Sequence, residues 1–404
     1  MRDTELLQMA LGLRSPWLVT RSVFDAEDKR LDIYLDFPRG SGFPCPSCGA
    51  GSCAAYDTEE VTWRHLNFFQ HEAYLHARVP RVTCKTCGVK RVSVPWAREG
   101  SGFTLLFEAL VMAMMTMMPV AAAARLVGEH DTRLWRVLHH YVEQARARAD
   151  FSGVARVACD ETAARRGHNY VTLFVDLDDR RVLFVADGRD ATTVEVFAKD
   201  LVAHSGHVEN IAEVCIDMSP AFIKGINEYL PAATITFDKF HAVKIVNDAV
   251  DKVRRDEQQS RPELKRTRYV WLKNQGNLSA GQLDTLGGLA DCNLKTARAY
   301  QIRLTFQDLY ALASRQAAEA FLKKWYFWAT HSRLGPMIEA AKTIKRHWDG
   351  VLRWFDTHIA NGLIEGLNSL VQAAKAKARG YRSIRNLKAI IYLIAGKLEL
   401  SLPT

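Results

Sequence analysis

The chain has 404 residues, of which 48% are apolar and 25% are charged, and Lys plus Arg exceed Asp plus Glu by nine. This composition excludes an intrinsically disordered, collagen-like or disulfide-scaffold protein. At ~100 to 200 residues per domain, the length predicts roughly two to four domains. The positive charge indicates a polyanionic partner only if it is concentrated in one part of the sequence.

The N-terminal segment lacks the charged head, apolar middle and small-residue cleavage site of a secretory signal, so we expect a cytoplasmic protein. The longest apolar stretch, residues 105–127, is interrupted by Glu108, Pro119 and Arg125. These interruptions favour a buried pair of helices over a membrane span. In a reducing compartment, the eight cysteines are more often metal ligands than disulfide partners.

Two cysteine pairs in the first hundred residues predict a structural zinc site. Cys45 and Cys48, and likewise Cys84 and Cys87, are separated by two residues and followed by glycine. This spacing lets a tight turn point both thiolates at one ion, and four thiolates leave no open coordination position. Alternative ligands in or beside the interval are Cys53, His65, His71 and His76.

Strands are expected on both sides of the first cysteine pair. Alternating apolar and polar residues predict them at 31–37 and 72–84. We therefore expect a zinc-binding ribbon domain over residues 1–100, in which the metal stabilises a module with little core of its own.

Residues 101–150 have the pattern of a helix-turn-helix-like DNA-binding domain. An apolar helix at 103–118 precedes a short helix opened by Pro119, Gly128 marks a stop, and Asp131 is a candidate N-cap for a longer helix. A plain structural helix pair is the alternative. In a helix-turn-helix, the longer helix would present these residues to a major groove: Thr132, Arg133 and Arg136.

The next segment has the pattern of a mixed α/β core. Runs of β-branched and aromatic residues predict three consecutive strands, and then helices and strands alternate. This is the order of a ribonuclease H-like sheet. The expected strands are 154–160, 169–177, 181–186, 211–217 and 233–238, with a helix at 192–204 and another opened by Ser219 and Pro220.

Two aspartates lie at the predicted ends of neighbouring strands. Asp160 ends the first strand and Asp217 the fourth, and these strands are adjacent in the ribonuclease H-like order. In open α/β sheets, chemistry occurs beyond the carboxyl ends of the strands. Two such carboxylates repel unless divalent cations neutralise them, and Mg²⁺ suits a site with few carboxylates and phosphate oxygens.

A third acid is expected from a C-terminal helix predicted over 357–375. Glu365 is the single acid in a polar stripe on that helix, whose other members include Asn361, Asn368 and Gln372. The stripe leads into basic residues that no acid balances, which favours contact with phosphates. These candidate DNA-binding residues are Lys375, Lys377, Arg379, Arg382 and Arg385.

The cysteine pairs, the strands ending in ACDET and CIDMSPAF, the FDKFH element and the helix NGLIEGLNSLVQAAKAKARGYRS together resemble the ISL3 family of bacterial insertion-sequence transposases. The resemblance covers essentially the whole chain. It implies a DDE transposase in which Asp160, Asp217 and Glu365 hold two Mg²⁺ (or Mn²⁺) ions for displacement at phosphorus. Asp238 and His241 resemble a family element after the fifth strand, and we expect Asp238 to support the metal ligands or position other groups near them. His241 is either a donor to the scissile phosphate or a capping or core histidine.

About 126 residues separate Asp238 from Glu365, and their pattern is helical. We expect the core to span 151–256 and 351–404, with a helical insertion at 257–350. Aromatic residues in the insertion either stack on DNA ends or pack against the core. They are Trp325, Tyr326, Trp328, Trp348 and Trp354.

We therefore expect an Mg²⁺-dependent transposase that binds the terminal inverted repeats of its element, associates with the nucleoid when bound to DNA, and cuts and joins strands. A homodimer or larger synaptic assembly is expected, because two ends are processed together. One alternative is a domesticated, catalytically silent DNA-binding regulator. The other is a ribonuclease H-like nuclease such as a junction resolvase.

Overall fold

A computed structural model describes residues 2–165, 167, 169–290, 292–359 and 362–402. The chain divides into two compact units, Met1–Ala145 with Glu399–Thr404, and Arg146–Leu398. The N-terminal unit contains both cysteine pairs, and the second unit contains the strands with candidate acidic residues. The predicted mixed α/β class is confirmed.

The described part of the N-terminal unit contains a six-stranded sheet. Its order is β1-β2-β5-β4-β3, with β6 paired to β5. The buried rings of Trp17 and Trp63 both contact Trp96, at centroid distances of 4.9 and 5.6 Å, and form part of its core. The elements are α1 (Asp3–Ala10), β1 (Leu18–Asp25), β2 (Arg30–Asp36), β3 (Gly42–Phe43), β4 (Cys53–Phe68), β5 (His71–Cys84) and β6 (Gly88–Arg91).

The predicted strands at 31–37 and 72–84 are confirmed as β2 and β5. The long strand β4, which fills most of the interval between the cysteine pairs, was not predicted. Only Trp63 and Arg64 of β4 are buried, so its sequence carries no alternating apolar pattern.

Three helices follow the sheet: α2 (Leu105–Met117), α3 (Val120–Leu126) and α4 (Asp131–Ala147). Thr104 caps α2 by accepting a hydrogen bond from the N–H of Phe107. The Asp131 N-cap prediction is wrong by one residue. Asp131 is already helical, and the ring nitrogen of His130 accepts the N–H of Thr132 at 3.3 Å.

Glu108 is a buried acid in the most apolar stretch of the chain, which forms α2 and α3. Its carboxylate is fully buried in α2, where it pairs with Arg98 at 2.9 Å and accepts hydrogen bonds from Ser101 and Tyr141. These partners offset the cost of burying the charge. Among the described residues, we find no helix with the length and apolarity needed to cross a membrane.

His65 makes the N-terminal unit sensitive to acid. Its Nδ1 lies 2.9 Å from the hydroxyl of Thr104, whose oxygen also accepts the N–H of Phe107. Burial, and then the charge of Arg64, lowers the pKa of His65 to about 4. Between pH 6.5 and 4, the unfolded chain therefore binds a proton that the folded chain excludes.

We predict that acidification from pH 6.5 to 4 costs up to about 3 kcal/mol of folding free energy through His65 alone. Denaturant unfolding at several pH values measures this, and His65→Gln should lose that part of the slope. His130→Gln, at the exposed histidine that accepts the N–H of Thr132, is the control: it retains His65 and should therefore keep the His65 part of the slope, and any zinc release affects both variants equally. Equal slopes in wild type and His65→Gln would contradict the assignment.

The second unit contains a five-stranded sheet of order β11-β10-β7-β8-β9 within the described residues. β7, β8 and β9 run antiparallel, whereas β10 is parallel to β7 and β11 is parallel to β10. The predicted adjacency of the first and fourth core strands is confirmed. The strands are β7 (Arg156–Arg165), β8 (Asn169–Asp176), β9 (Arg181–Asp187), β10 (Glu213–Ile216) and β11 (Thr234–Phe237).

Helices pack around this sheet and fill the long interval before the C-terminal segment. They are α5 (Ala191–Ala203), α6 (Pro220–Tyr229), α7 (Lys239–Glu257), α8 (Arg268–Leu272), α9 (Ala280–Ala290), α10 (Lys295–Asp308), α11 (Arg315–Thr330), α12 (Gly335–Arg346), α13 (Trp348–Thr357), α14 (Gly362–Lys377) and α15 (Ile384–Ala395). Short 3-10 turns lie at Val208–Asn210, Pro262–Leu264, Gln275–Asn277 and Leu309–Ala311.

The helix predicted over 357–375 is interrupted at its start. Thr357 ends α13, and His358 follows it with a left-handed backbone conformation, φ 50°. The described part of the next helix, α14, begins at Gly362. Asn361 of the predicted polar stripe lies outside the described residues.

Most aromatic residues of the insertion pack inside it. Trp325 is buried, and its indole N–H donates to the carbonyl of Ile302 at 2.9 Å. Tyr326, Trp348 and Trp354 pack partly buried against the same core. Trp328 is 40% exposed, so the packing interpretation holds for the others and leaves this one ring at the surface.

Candidate active site and zinc centre

The four predicted cysteines meet in one cluster. The Sγ atoms of Cys45, Cys48, Cys84 and Cys87 all lie within 4.8 Å of one another, and those of Cys48 and Cys84 are 3.6 Å apart. Thiolates on a tetrahedral zinc ion are about 3.8 Å apart. The cluster therefore suits a structural zinc ion.

Backbone geometry prepares these thiolates for a cation. Gly49 and Gly88, which follow the two pairs, have φ values of +72° and +73°, a conformation that favours glycine. The N–H groups of Cys87 and Thr86 donate to Cys84 and lower its thiol pKa to about 6. A thiol deprotonated at neutral pH is the form that binds metal.

The alternative ligands lie outside the cluster. Cys53 is in β4, with its thiol 3.8 Å from the carbonyl of Ala50. His76 pairs with Asp32 at 2.5 Å, and His65 is hydrogen-bonded to Thr104. Among the residues that the structure describes, no histidine joins the four cysteines.

In the second unit, three aspartates lie at the same height in the sheet, where the parallel strands β10 and β11 end. Cys215 pairs with Ala158, so Asp217 and Asp160, each two residues further on, lie side by side. Ile216 pairs with Phe237, so the next residues, Asp217 and Asp238, are also level. The parallel strands β7, β10 and β11 thus bring together three carboxylates from distant parts of the chain.

Asp160 does not end its strand, contrary to the prediction. β7 continues to Arg165, because its second half pairs with β8 beyond the point where pairing with β10 stops. Asp160 nevertheless lies at the height in the sheet where β10 and β11 end. Burial raises its pKa to about 6, while the N–H of Glu161 and the charge of His241 oppose that shift.

The other two aspartates are held by local structure. Asp217 accepts the N–H of Ser219 at 2.9 Å, in the turn that opens α6. Asp238 is completely buried at the N-terminus of α7 and lies 3.1 Å from Nδ1 of His241, which donates to it. This bond is the main reason that the pKa of His241 is raised, and the charges of Asp217 and Asp160 add to it.

Glu365 lies in the first turn of α14, near the same group. Its side chain is exposed, but partial desolvation and then the charge of Asp238 raise its pKa, whereas the charge of His241 lowers it. His241 therefore interacts electrostatically with all four acids. Within the described part of the chain, these acids do not reach the 4.8 Å spacing that the four cysteines have.

The sequence did not reveal how Asn368 is used. Its side-chain amide donates to Asp160 Oδ2 at 2.8 Å, one helical turn after Glu365. Its oxygen is buried and has no hydrogen-bond partner among the described residues. An amide oxygen beside carboxylates can accept a hydrogen bond from a hydrated cation, so the donor set fits Mg²⁺, which keeps several of its waters.

The basic residues predicted to bind DNA, from Lys375 to Arg385, are of two kinds. Lys377, Arg379, Arg382 and Arg385 are exposed, and the guanidinium of Arg165 donates to the carbonyl of Arg382. Lys375 instead donates to the carbonyl of Ala163 at 2.6 Å, and burial lowers its pKa. The structure thus holds the ammonium of Lys375 against β7.

The candidate DNA-reading residues of α4 also differ. Thr132 and Arg136 are exposed. Arg133 lies over the ring of Phe103 at 4.1 Å and donates to Glu129 at 2.5 Å. Arg133 thus has a structural role whether or not it also contacts DNA.

Comparison with known families covers both units. Residues 157–391 match a family of transposases designated DDE ISL3, and residues 92–142 match the helix-turn-helix domain of transposase family ISL3. Residues 41–87 match the zinc-finger of transposases of the elements IS204, IS1001, IS1096 and IS1165. The helix-turn-helix and zinc-ribbon predictions are therefore confirmed.

Two similar proteins are alike along their whole lengths. The transposase for insertion sequence element IS1557 of Mycobacterium tuberculosis is 28% identical over 442 aligned residues, covering all of this chain and 98% of the relative. The transposase for element IS1001 of Bordetella parapertussis is 28% identical over 399 residues, covering 95% and 96%. The zinc ribbon, the helix-turn-helix and the sheet that carries the aspartates agree with these matches. The chain belongs to the ISL3 family of insertion-sequence transposases.

Proposed function

We propose that this protein binds the terminal inverted repeats of its insertion sequence and catalyses Mg²⁺-dependent strand cleavage and strand transfer. The observation that carries the proposal is the set of level carboxylates of Asp160 within β7, Asp217 after β10 and Asp238 after β11, with Glu365 on the helix beside them. Membership of the transposase family supports the reaction class.

The core is proposed to be ribonuclease H-like. The antiparallel strands β7 to β9 and the parallel strands β10 and β11 have the expected order, and helices separate the last strands along the chain. The helical insertion of this core is proposed to span 257–350, between core segments 151–256 and 351–404. Ahead of the core, the zinc ribbon is proposed to span 1–100 and the DNA-binding helices 101–150.

Asp160, Asp217 and Glu365 are the proposed ligands of two Mg²⁺ or Mn²⁺ ions. When bound, such ions stabilise both the attacking and the leaving oxygens in an in-line displacement at phosphorus. The protein supplies three carboxylates from separate elements, two of which it holds through the N–H groups of Glu161 and Ser219. Burial makes ionised Asp160 unfavourable alone, so that a cation and the acid stabilise each other.

Asp238 and His241 are the proposed positioning pair. Asp238 accepts a hydrogen bond from Nδ1 of His241 and so orients the ring, and this bond, with the charges of Asp217 and Asp160, raises the pKa of His241. When His241 is protonated, its positive charge reduces repulsion among the carboxylates. His241 is 26% exposed, and its Nε2 is the ring atom proposed to donate to a phosphate oxygen.

DNA contacts are proposed at two surfaces. Thr132 and Arg136, with Arg133 behind them, suit base and phosphate contacts from the second helix of the helix-turn-helix. The exposed residues Lys377, Arg379, Arg382 and Arg385 suit phosphate contacts along the chain beyond Glu365. A homodimer or larger assembly follows if both ends of the element are processed together.

The test is cleavage of a labelled duplex that carries the element's own end. With Mg²⁺, the wild-type protein should nick the duplex at the element boundary, whereas Asp160→Ala should bind it without cutting. With Ca²⁺ in place of Mg²⁺, both proteins should bind and neither should cut. Binding without cutting in Mg²⁺ by the wild type would favour a catalytically silent regulator, and cutting without end preference would favour a general nuclease.

A further inference from the structure

The polar stripe of α14 faces the sheet. Asn368 donates to Asp160 at 2.8 Å, Gln372 donates to the hydroxyl of Thr162 at 2.8 Å and to the carbonyl of Ala163 at 3.0 Å, and Lys375 donates to that same carbonyl. A polar stripe on a helix is usually solvated. Here successive turns of the helix are hydrogen-bonded to Asp160, Thr162 and Ala163 of β7.

The bond from Asn368 completes the hold on Asp160. One carboxylate oxygen accepts the N–H of Glu161 at 2.8 Å, and the other accepts the amide of Asn368. A carboxylate can only accept, so the amide nitrogen must face it and the amide oxygen must face away. With both oxygens held, the rotation of this carboxylate is restricted.

The same bond fixes the helix that carries Glu365. Residues three apart on a helix lie on the same face, so Asn368 and Glu365 are neighbours one turn apart. Gln372 and Lys375 add bonds further along, which oppose sliding or rotation of α14 over β7. The distance between a strand-borne acid and a helix-borne acid thus depends on this row of polar side chains.

We propose that Asn368 is a positioning residue for the metal site and that, with Gln372 and Lys375, it clamps α14 to β7 so that Glu365 and Asp160 bind metal together. This inference rests on the proposed function. It removes Lys375 from the set of DNA contacts and gives it a role within the core. Mutation of a group that orients metal ligands typically lowers metal affinity or activity by about 10 to 100-fold.

The first experiment measures metal binding directly. Full-length protein is titrated with Mn²⁺ by calorimetry, with the zinc left in place. Asn368→Ala should weaken the Asp160-dependent binding by about 10 to 100-fold. Ser369→Ala, at the exposed neighbouring position of the same helix, is the matched control and should bind like wild type. Gln372→Ala provides a second variant, and thermal melting verifies that each protein is folded.

The second experiment measures cleavage and DNA binding. Asn368→Ala should lower kcat and raise the Mn²⁺ concentration for half-maximal cleavage, while Kd for the element end in Ca²⁺ stays within about twofold of wild type. A lost phosphate contact lowers the slope of log Kd against log salt by about 0.9. Lys375→Gln should leave this slope unchanged, whereas Arg379→Gln should lower it.

The outcomes separate the two proposals. If wild type cleaves and Asn368→Ala matches Ser369→Ala in both Mn²⁺ binding and kcat, the clamp is overturned and the proposed function stands. A lowered salt slope in Lys375→Gln would return that residue to the DNA interface and overturn its place in the clamp. If wild type neither cleaves nor binds Mn²⁺ through Asp160, the proposed function fails and the positioning role fails with it.

Discussion

Glu365→Gln is expected to abolish strand cleavage at the element end while leaving binding to that end nearly unchanged. The substitution keeps the size of the side chain and removes only the charge that a divalent ion requires. Because metal ions stabilise the transition state by several kcal/mol, loss of a ligand should lower the cleavage rate by about 10³-fold or more. Single-turnover cleavage and a mobility-shift assay on the same labelled duplex measure the two effects.

The control for this experiment is Glu195→Gln. Glu195 lies on α5 and pairs with Lys199 at 2.6 Å on the surface, so its loss should leave cleavage at the wild-type rate. If Glu365→Gln lost end binding together with cleavage, Glu365 would be architectural. If the variant cleaved normally, the third carboxylate would have to come from elsewhere, and Asp238 would be the first candidate because it is level with Asp217.

Cys84→Ser is expected to release zinc, unfold the ribbon and weaken binding to the element end, without removing divalent metal from the acidic site. Structural zinc contributes on the order of 10 kcal/mol in small modules, so loss of a ligand removes a large part of the stability of the ribbon, although the sheet also has a core that includes Trp17, Trp63 and Trp96. Cys84 is the thiol whose pKa the N–H groups of Cys87 and Thr86 lower most clearly, so serine replaces a strong ligand with a weak one. Zinc content and circular dichroism test the loss.

Cys53→Ser is the matched control, because this cysteine follows the first pair closely but lies outside the cluster. It should keep one zinc per chain and bind the end like wild type. Unchanged zinc content in Cys84→Ser would refute the ligand set. Loss of zinc in Cys53→Ser would show that the fifth thiol participates.

The sequence predicted the elements that depend on residues close together in the chain. The cysteine spacing predicted the cluster, because two residues and a glycine suffice to point two thiolates the same way. The core strands were predicted because they are buried on both faces and therefore rich in β-branched and aromatic residues. β4 was missed because only two of its residues are buried.

The candidate active site was predicted in part. Asp160 and Asp217 were expected at adjacent strands, and the register of β7 and β10 brings them level. The end of β7 was predicted too early, since its extension depends on pairing with β8. Pairing partners are distant in sequence, so a single strand's composition carries little information about where pairing stops.

The sequence by itself determined the residue types, their spacing and the order of the elements, and these identify the family and its candidate ligands. Only the tertiary structure decided which polar residues face the sheet. Asn368 and Lys375 have the composition of a solvated helix face, yet they donate to Asp160 and to Ala163. The physical reason is that a hydrogen bond between residues about 210 positions apart depends on how a helix docks on a sheet, which no local pattern specifies.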